Sequence, residues 1–356
     1  GGGMPESTLT TKMRRAEPTG IERQRRKSNP AWLRTLASLR ITSFGLLLLG
    51  AGGLATSRQS DIGQWLIVVS LLLLAINLCA ALFSNPLFRV KSALFGMHVG
   101  LLLLAVSLAY GQLSRFRGHF EITEGQVFDP RQVIIDRQGV LVPTLPAEGA
   151  FTQGSIRINY APEMMRRETQ SQVVMADGRL SGATDGRPLI IENNRFYVTH
   201  NKGFSALISW WPAQESHVHL GALHFPSYPR LAPMQRLSWA APDGTALGFE
   251  ITPKAIPQDE NWTLSGAMSE ALLVVTRDGT TTSLQPGETL RLAGGAFRFE
   301  GIKMWIGYRI FRDPSLYWCF ASAMIVVCCL AFHLAGRYLR RPKRSVALTD
   351  TRKVNI

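Results

Sequence analysis

The chain has 356 residues, 46% of them hydrophobic, and its 39 lysines and arginines against 25 acidic residues give a formal net charge of +14. Nine basic residues lie in residues 1–40, two in residues 84–92 and seven in residues 337–356, and each cluster flanks an apolar block. Basic clusters beside apolar segments are typical of the cytoplasmic flanks of membrane spans. The charge therefore indicates a lipid bilayer as the partner and argues against nucleic-acid binding.

The four cysteines all lie inside apolar blocks, at Cys79, Cys319, Cys328 and Cys329. The central polar region therefore has no disulfide, even if it faces an oxidising compartment. Neither Cys-x-x-Cys nor Cys-x-x-Cys-His occurs. This argues against thiol redox chemistry by the chain and against covalent attachment of haem to it.

The first 31 residues are polar and basic and have no apolar stripe, which predicts a disordered cytoplasmic N-terminus over residues 1–31. Gly1–Gly3 stand before Met4 and read as an extension that takes no part in the fold. The apolar run that follows starts too late for a cleavable signal peptide.

Three apolar blocks in residues 32–113 predict three transmembrane helices, because about 20 residues at 1.5 Å each cross a hydrocarbon core of ~30 Å. The blocks are Trp32–Thr56, Gln64–Phe83 and Ala93–Leu113. The first contains several glycines, which let helices approach closely in a membrane. Asn77 is the only strongly polar residue inside the second block.

A fourth apolar block in residues 315–336 predicts a last transmembrane helix, followed by a basic cytoplasmic tail at 337–356. With the amino terminus inside, loop 84–92 lies inside and residues 114–314 lie outside, so every charge cluster obeys the positive-inside bias. The sequence thus predicts a multi-pass protein of the inner (cytoplasmic) membrane, with both termini cytoplasmic and a large periplasmic or extracytoplasmic domain.

Residues 114–314 carry short strand-like runs separated by turn signals such as Asp177-Gly178 and Pro286-Gly287, with no strong amphipathic helix. This predicts an antiparallel, all-β domain, built as a sandwich or barrel. The runs are Phe120–Ile122, Ser155–Tyr160, Gln172–Met175, Leu189–Ile191, Arg195–Thr199, Ala206–Trp211, Leu247–Ile251, Ala271–Thr276 and Arg298–Lys303.

Two stretches resemble one known family. A histidine early in the third span, His98, is followed by Arg-Phe-Arg-Gly-His-Phe-Glu-Ile-Thr-Glu-Gly-Gln at 115–126, and Asp313-Pro314-Ser315 stands just before the last span. With the order of spans, this resembles the ResB (also called CcsB) family of cytochrome c biogenesis proteins. The likeness is carried by residues 85–128 and 300–340, and the central region diverges.

The resemblance implies a role in moving or holding haem for attachment to apocytochrome c outside the membrane. The expected partner is a CcsA-like multispan membrane protein with a tryptophan-rich haem-handling motif, and thiol-reducing proteins act indirectly. Trp210-Trp211-Pro212 is not that motif. The chain is therefore expected to be a non-catalytic subunit of a haem–cytochrome c synthase complex, with haem b bound non-covalently and shared with the partner.

His98 is the first candidate site residue, because an ionisable residue inside a span is a functional candidate by default and neutral imidazole is a good axial ligand for haem iron. The alternative is a structural histidine bonded to a helix carbonyl or to Asn77. His333 in the last span falls at a similar depth and is a possible second ligand; the alternative is a histidine that reaches to the headgroups.

Just outside the third span, His119, Arg115 and Arg117 are possible haem exit or propionate contacts, since arginine matches carboxylates bidentately. The alternative is a basic interfacial flank that contacts lipid phosphates. His217 and His219, two residues apart with His224 nearby, form a weaker metal candidate. The alternative there is an exposed polar strand.

Two other functions compete with haem delivery. One is a haem-free structural or accessory subunit of a respiratory or secretion complex, favoured by the short, divergent central region. The other is a membrane-bound metal or haem sensor that uses His217, His219 and His224.

Overall fold

A computed structural model of the chain describes residues 30–58, 61–85, 92–142, 144–214, 216–230, 234–241 and 244–339. The predicted disordered segment up to residue 29, the basic residues of loop 86–91 and the tail beyond residue 339 lie outside the described residues.

Five helices occur in the described residues, and four are long and apolar enough to cross a membrane: Leu39–Ser57, Ile62–Ser84, Ser92–Ser114 and Leu316–Tyr338. Three of these precede the strands in the sequence and the fourth follows them. The helices are α1 Ala31–Leu36, α2 Leu39–Ser57, α3 Asp61–Ser84, α4 Ser92–Ser114 and α5 Leu316–Leu339.

The predicted first span, Trp32–Thr56, is wrong at its start, because the helix breaks at Ala37 and Ser38. Ser38 takes an extended conformation, which ends α1 and begins α2. The Asn77 side chain stabilises the break: its Nδ2 donates to the carbonyl oxygens of Leu36 (2.6 Å) and Ser38 (3.1 Å). An apolar segment must satisfy every carbonyl internally, which explains the polar residue buried in α3.

The strands form three antiparallel sheets in the described residues. Seven strands pair in the order β2-β1-β15-β7-β6, with β14 also beside β15 and β8 beside β7; the four-stranded sheets are β13-β12-β10-β9 and β11-β3-β4-β5. The strands are β1 Phe116–Thr123, β2 Ile134–Gln138, β3 Phe151–Ala161, β4 Met165–Met175, β5 Leu180–Thr184, β6 Leu189–Ile191, β7 Asn194–Pro212, β8 His219–His224, β9 Gln235–Ala240, β10 Ala246–Ile251, β11 Trp262–Leu264, β12 Leu273–Arg277, β13 Thr280–Leu284, β14 Thr289–Leu292 and β15 Gly295–Arg312.

The seven-stranded sheet is organised around β7 and β15, which pair from Arg195↔Phe311 to Pro212↔Gly295 with two register shifts. The runs predicted at 195–199 and 206–211 are therefore one strand. Extra residues at register shifts bend a strand and increase its twist, which is how two such long strands wrap a shared core.

The core of the β region is aromatic. Phe120, Phe128, Phe151, Phe196 and Tyr308 have ring centroids 5.1–6.4 Å apart in stacked and edge-on pairs. Such pairs add to the stabilisation that comes from burial alone. Burial raises the pKa of Tyr308 to about 12, so this phenol stays neutral inside the core.

The described residues divide into two compact units, one within Gly1–Ala109 and Trp318–Ile356, the other Tyr110–Tyr317. The first holds α1–α3 and most of α4 and α5; the second holds the strands with the last turn of α4 and the first residues of α5. The predicted membrane boundaries at 113/114 and 314/315 stay predictions.

Candidate functional site

His98 lies between two glycines where α4 packs closely on α5. A Cβ on Gly96 would stand 2.7 Å from Cys329 Sγ, and one on Gly100 would stand 2.8 Å from Val326 Cγ2. Since both positions lack a side chain, the helices approach until backbone meets side chain, as at small-residue contacts in membranes.

His98 itself faces away from α5. It is two residues from each glycine, and at about 100° per residue its side chain lies roughly 180° around α4 from the contact that the glycines make. The side chain is half-buried. The face of α4 that carries His98 is therefore distinct from the face that packs on α5.

One ring nitrogen of His98 is bound within its own helix. Nδ1 lies 2.9 Å from the carbonyl oxygen of Leu94, and because a carbonyl oxygen only accepts, Nδ1 carries the proton. The other ring nitrogen, Nε2, is the atom that would bind iron. A hydrogen bond from the ring nitrogen that does not bind the metal orients the ring of a metal-binding histidine, so His98 fits an axial ligand.

The structure does not bring His98 and His333 together. Because Gly96 pairs with Cys329 and Gly100 with Val326, the helices run antiparallel and His98 lies level with residues 327–328 of α5. His333 is about five residues further along, roughly 8 Å at 1.5 Å per residue. It follows Cys329 by four residues and so lies on the face of α5 that meets α4, whereas His98 lies on the far face of α4.

Arg115 forms an ion pair with Asp313 across the two chain segments that join the β region to α4 and α5. Its Nη2 and Nε donate to Asp313 Oδ2 at 2.7 and 3.0 Å, with side chains 20% and 5% exposed. The other carboxylate oxygen of Asp313 accepts from the backbone N–H and the hydroxyl of Ser315, which immediately precedes α5. Gly111 provides the space, since a Cβ there would collide with Ser315 Oγ.

The pKa of Asp313 reflects this partnership. Burial acts to raise the pKa, but hydrogen bonds from Ser315 and Arg115 and the charge of Arg115 outweigh it and hold the pKa below its ordinary value. Asp313 therefore stays ionised. It forms an ion pair with Arg115, the residue that the sequence suggested as a contact for a haem propionate.

Arg117 faces solvent on the exposed side of β1, and its guanidinium carbon lies 5.5 Å from the ring centroid of Phe311. Its cross-strand neighbour on β2 is Arg137. Burial, followed by the charges of Arg115 and Arg117, lowers the pKa of Arg137. Three arginines thus crowd one corner of the sheet, where an anion would relieve their repulsion.

His119 lies two residues further along the same side of β1. Its Nδ1 is 2.8 Å from Asp136 Oδ1, and the two side chains are 46% and 43% exposed. His119 therefore lies beside the basic corner of the sheet, with a partner of its own.

The three histidines of the predicted sensor face do not form one site. His217 is exposed before β8, whereas His219 lines a cavity of about 640 Å³ with Trp210 and Trp239. His224 is held by Glu121 (2.9 Å), by Thr123 (2.8 Å) and by stacking on Trp305. Nowhere in the described ranges do three or more His, Cys, Asp or Glu side chains converge as a metal site.

Asp136, Arg137 and the pairing of Asp313 with Arg115 were missed at the level of sequence. Arg115 and Asp313 are 198 residues apart, and Asp136 and Arg137 lie in β2, whose residues are mostly exposed and do not alternate. The sequence did offer one signal for the ion pair: Arg115 comes directly after the third predicted span, and Asp313 comes shortly before the fourth.

One comparison with known proteins identifies a family. The model of the ResB-like family matches residues 91–290, which is 200 of the 356 residues and includes His98, the basic corner of the sheet and most of the strands. No curated protein matches the chain.

Proposed function

The chain belongs to the ResB-like family, and from that premise we propose that it is a membrane subunit of a cytochrome c assembly complex. In this proposal the chain lies in the inner (cytoplasmic) membrane with three spans before the β region and one after it. Both termini are cytoplasmic, and the β region faces the compartment in which haem is attached to apocytochrome c. The chain is not catalytic by itself.

The observation that carries the proposal is the orientation of His98. Its Nδ1 lies 2.9 Å from the carbonyl oxygen of Leu94, a hydrogen bond of the kind that orients a metal-binding histidine, and histidine is a common axial ligand of haem iron. Bound haem b supplies the iron, and the chain supplies an oriented nitrogen on an apolar helix.

A partner completes the proposed site. Because His98 faces away from α5, a histidine from a CcsA-like multispan protein is the proposed second ligand, in place of His333. The basic corner at Arg115, Arg117 and His119 supplies the proposed contacts with haem propionates, chiefly through Arg117, since Asp313 and Asp136 pair the other two.

The test is the visible absorption spectrum of the detergent-purified full-length protein, with and without the co-expressed partner. We expect a reduced b-type spectrum that His98→Ala abolishes and that His333→Ala retains, with His217→Ala as an exposed-histidine control. A haem spectrum that persists in His98→Ala would overturn the ligand assignment. Loss in His333→Ala without a partner would restore the two-ligand site within one chain.

The second candidate is a haem-free accessory subunit, favoured by the carboxylate partners that Arg115 and His119 already have. It predicts no haem in any preparation and unchanged cytochrome c maturation in His98→Ala cells. The same variant therefore separates the two functions.

A further inference from the structure

One face of the seven-stranded sheet carries two adjacent rows of basic and aromatic side chains. The pairing β2-β1-β15-β7 aligns Arg137, Arg117, Phe311 and Arg195 in the first row. In the second row, Arg309 stands between His119 and Tyr197. We call these seven residues the basic face.

The basic face has an excess of positive charge. Among the described residues no ion pair joins Arg117, Arg195 or Arg309 to a carboxylate. The acids that border these rows, Asp136 and Glu121, pair with His119 and His224. Arg137 and Arg117 are neighbours on adjacent strands, about 5 Å apart, and Arg195 lies two strands beyond Arg117. Their like charges repel one another, which favours binding of an anion.

Exposed aliphatic side chains border the basic face. Ile190 lies beside Arg195 on β6 and is 61% exposed. Val140 and Leu141 are also exposed, and the backbone N–H of Leu141 donates to the carbonyl oxygen of Leu113 in the last turn of α4. Basic residues mixed with exposed aliphatic and aromatic side chains are typical of surfaces that lie in the headgroup layer of a bilayer.

The first row lies close to the chain segments that enter α4 and α5. Arg117 follows the last residue of α4, Ser114, by three residues, roughly 10 Å at about 3.3 Å per residue. A headgroup layer is about 5–7 Å thick on each side of the hydrocarbon core, and an arginine side chain reaches over several ångströms. If α4 ends at the edge of the hydrocarbon, the guanidinium group of Arg117 reaches the phosphates.

We propose that the basic face binds the phosphates of an anionic phospholipid surface, with Ile190, Val140 and Leu141 among the headgroups. We prefer a lipid surface to a protein partner because the arginines are mixed with exposed aliphatic side chains and because Arg117 follows the end of α4 by three residues. The inference does not rest on haem, and its variants, Arg195 and Arg309, lie outside the proposed haem contacts.

The experiment uses the full-length protein in nanodiscs of phosphatidylcholine with or without about a third phosphatidylglycerol. A fluorophore is attached at Ile190→Cys or, as a control, at Leu220→Cys, an 82% exposed position on β8, in a background in which the native cysteines are replaced. We expect quenching by headgroup-labelled lipid at position 190 and little at position 220. Equal quenching at both positions would overturn the proposal.

A second measurement leaves the native cysteines in place. Phosphatidylglycerol that co-purifies with the wild type is compared with that of Arg195→Gln/Arg309→Gln and of a charge-matched control, Arg157→Gln/Arg187→Gln, two exposed arginines elsewhere on the β region. We expect a loss of up to about 25-fold for the first pair, since each arginine near an anionic surface contributes about fivefold, and none for the control. Equal loss in both pairs of variants would refute lipid binding.

Discussion

Replacing Asp313 with asparagine tests whether the Arg115–Asp313 pair holds the junction between the strands and the two helices. The change leaves the Arg115 guanidinium, only 20% exposed, without its charge partner. Removing one partner of a buried ion pair costs about 3–5 kcal/mol. Because Arg115 keeps some solvent, we expect about 2–3 kcal/mol, or a fall in Tm of roughly 5–10 °C at about 2–4 °C per kcal/mol.

The assay is thermal unfolding of the detergent-purified protein followed by tryptophan fluorescence, to which the β region contributes five of the eight tryptophans. A double-mutant cycle with Arg115→Gln isolates the pair. Each single variant should lose most of the stabilisation that the pair provides, and the double variant should lose little more. Glu250→Gln, which breaks the exposed pair with Arg236, is the control and should leave Tm unchanged. A fall below about 2 °C for Asp313→Asn, or additive losses in the cycle, would refute the reasoning.

The same pair predicts a dependence on pH. The folded pKa of Asp313 lies below its ordinary value of 3.8. Its contribution is therefore fully present well above pH 3.8 and is lost as the pH falls through the lower folded pKa. Wild-type Tm should fall in that acid range more steeply than the Tm of Asp313→Asn, and parallel curves would count against the assignment.

Two further substitutions test the interior of the two units, one in each. Lys202 is 4% exposed, and burial lowers its pKa from 10.5 to about 8. Between pH 8 and pH 10.5 the unfolded chain therefore binds more protons than the folded chain, and stability should rise with pH over this range. In Lys202→Met this slope should vanish, and the free energy of unfolding at pH 7 should rise by at most about 3 kcal/mol. Both effects are measured as Tm against pH. An unchanged slope would mean that another group causes the pH dependence. In the helices, Gly100→Ala places a Cβ against Val326, whereas Gly50→Ala meets nothing within 4 Å. Only the first should lower Tm, measured by thiol-reactive dye, and equal Tm values would show that the close helix contact does not hold.

The sequence alone predicted the apolar helices and the antiparallel β character, since composition and alternation record burial directly. The eight strands that the predicted runs overlap include the long central pair β7 and β15, whose inward residues are apolar. The strands that were missed, β2, β5, β8, β9, β11, β13 and β14, each pair with a single neighbour. Edge strands are short and exposed on more sides, so apolar and polar residues alternate only weakly along them. Strand β13, for example, reads Thr-Thr-Thr-Ser-Leu.

The candidate site shows the same limit. That His98 lies on a helix apolar enough to cross a membrane follows from the sequence, because it depends only on local composition. The direction in which it points does not, because that depends on Gly96 and Gly100 meeting α5, which lies more than 200 residues further along the chain. The carboxylates that pair Arg115 and His119 are likewise contributed by distant segments.

The pair α4 and α5 is joined twice, and this relates the proposed ligand to the rest of the chain. Within the first unit, Gly96 and Gly100 let α4 approach α5 through the face opposite His98. Within the second, Arg115 and Asp313 tie the end of α4 to the start of α5. Two contacts on one helix pair restrict rotation of α4 about its axis, and rotation is the motion that would turn His98 away from a partner. Gly100→Ala and Asp313→Asn, neither of which touches the imidazole, should therefore both weaken haem retention if His98 binds it with a partner's ligand.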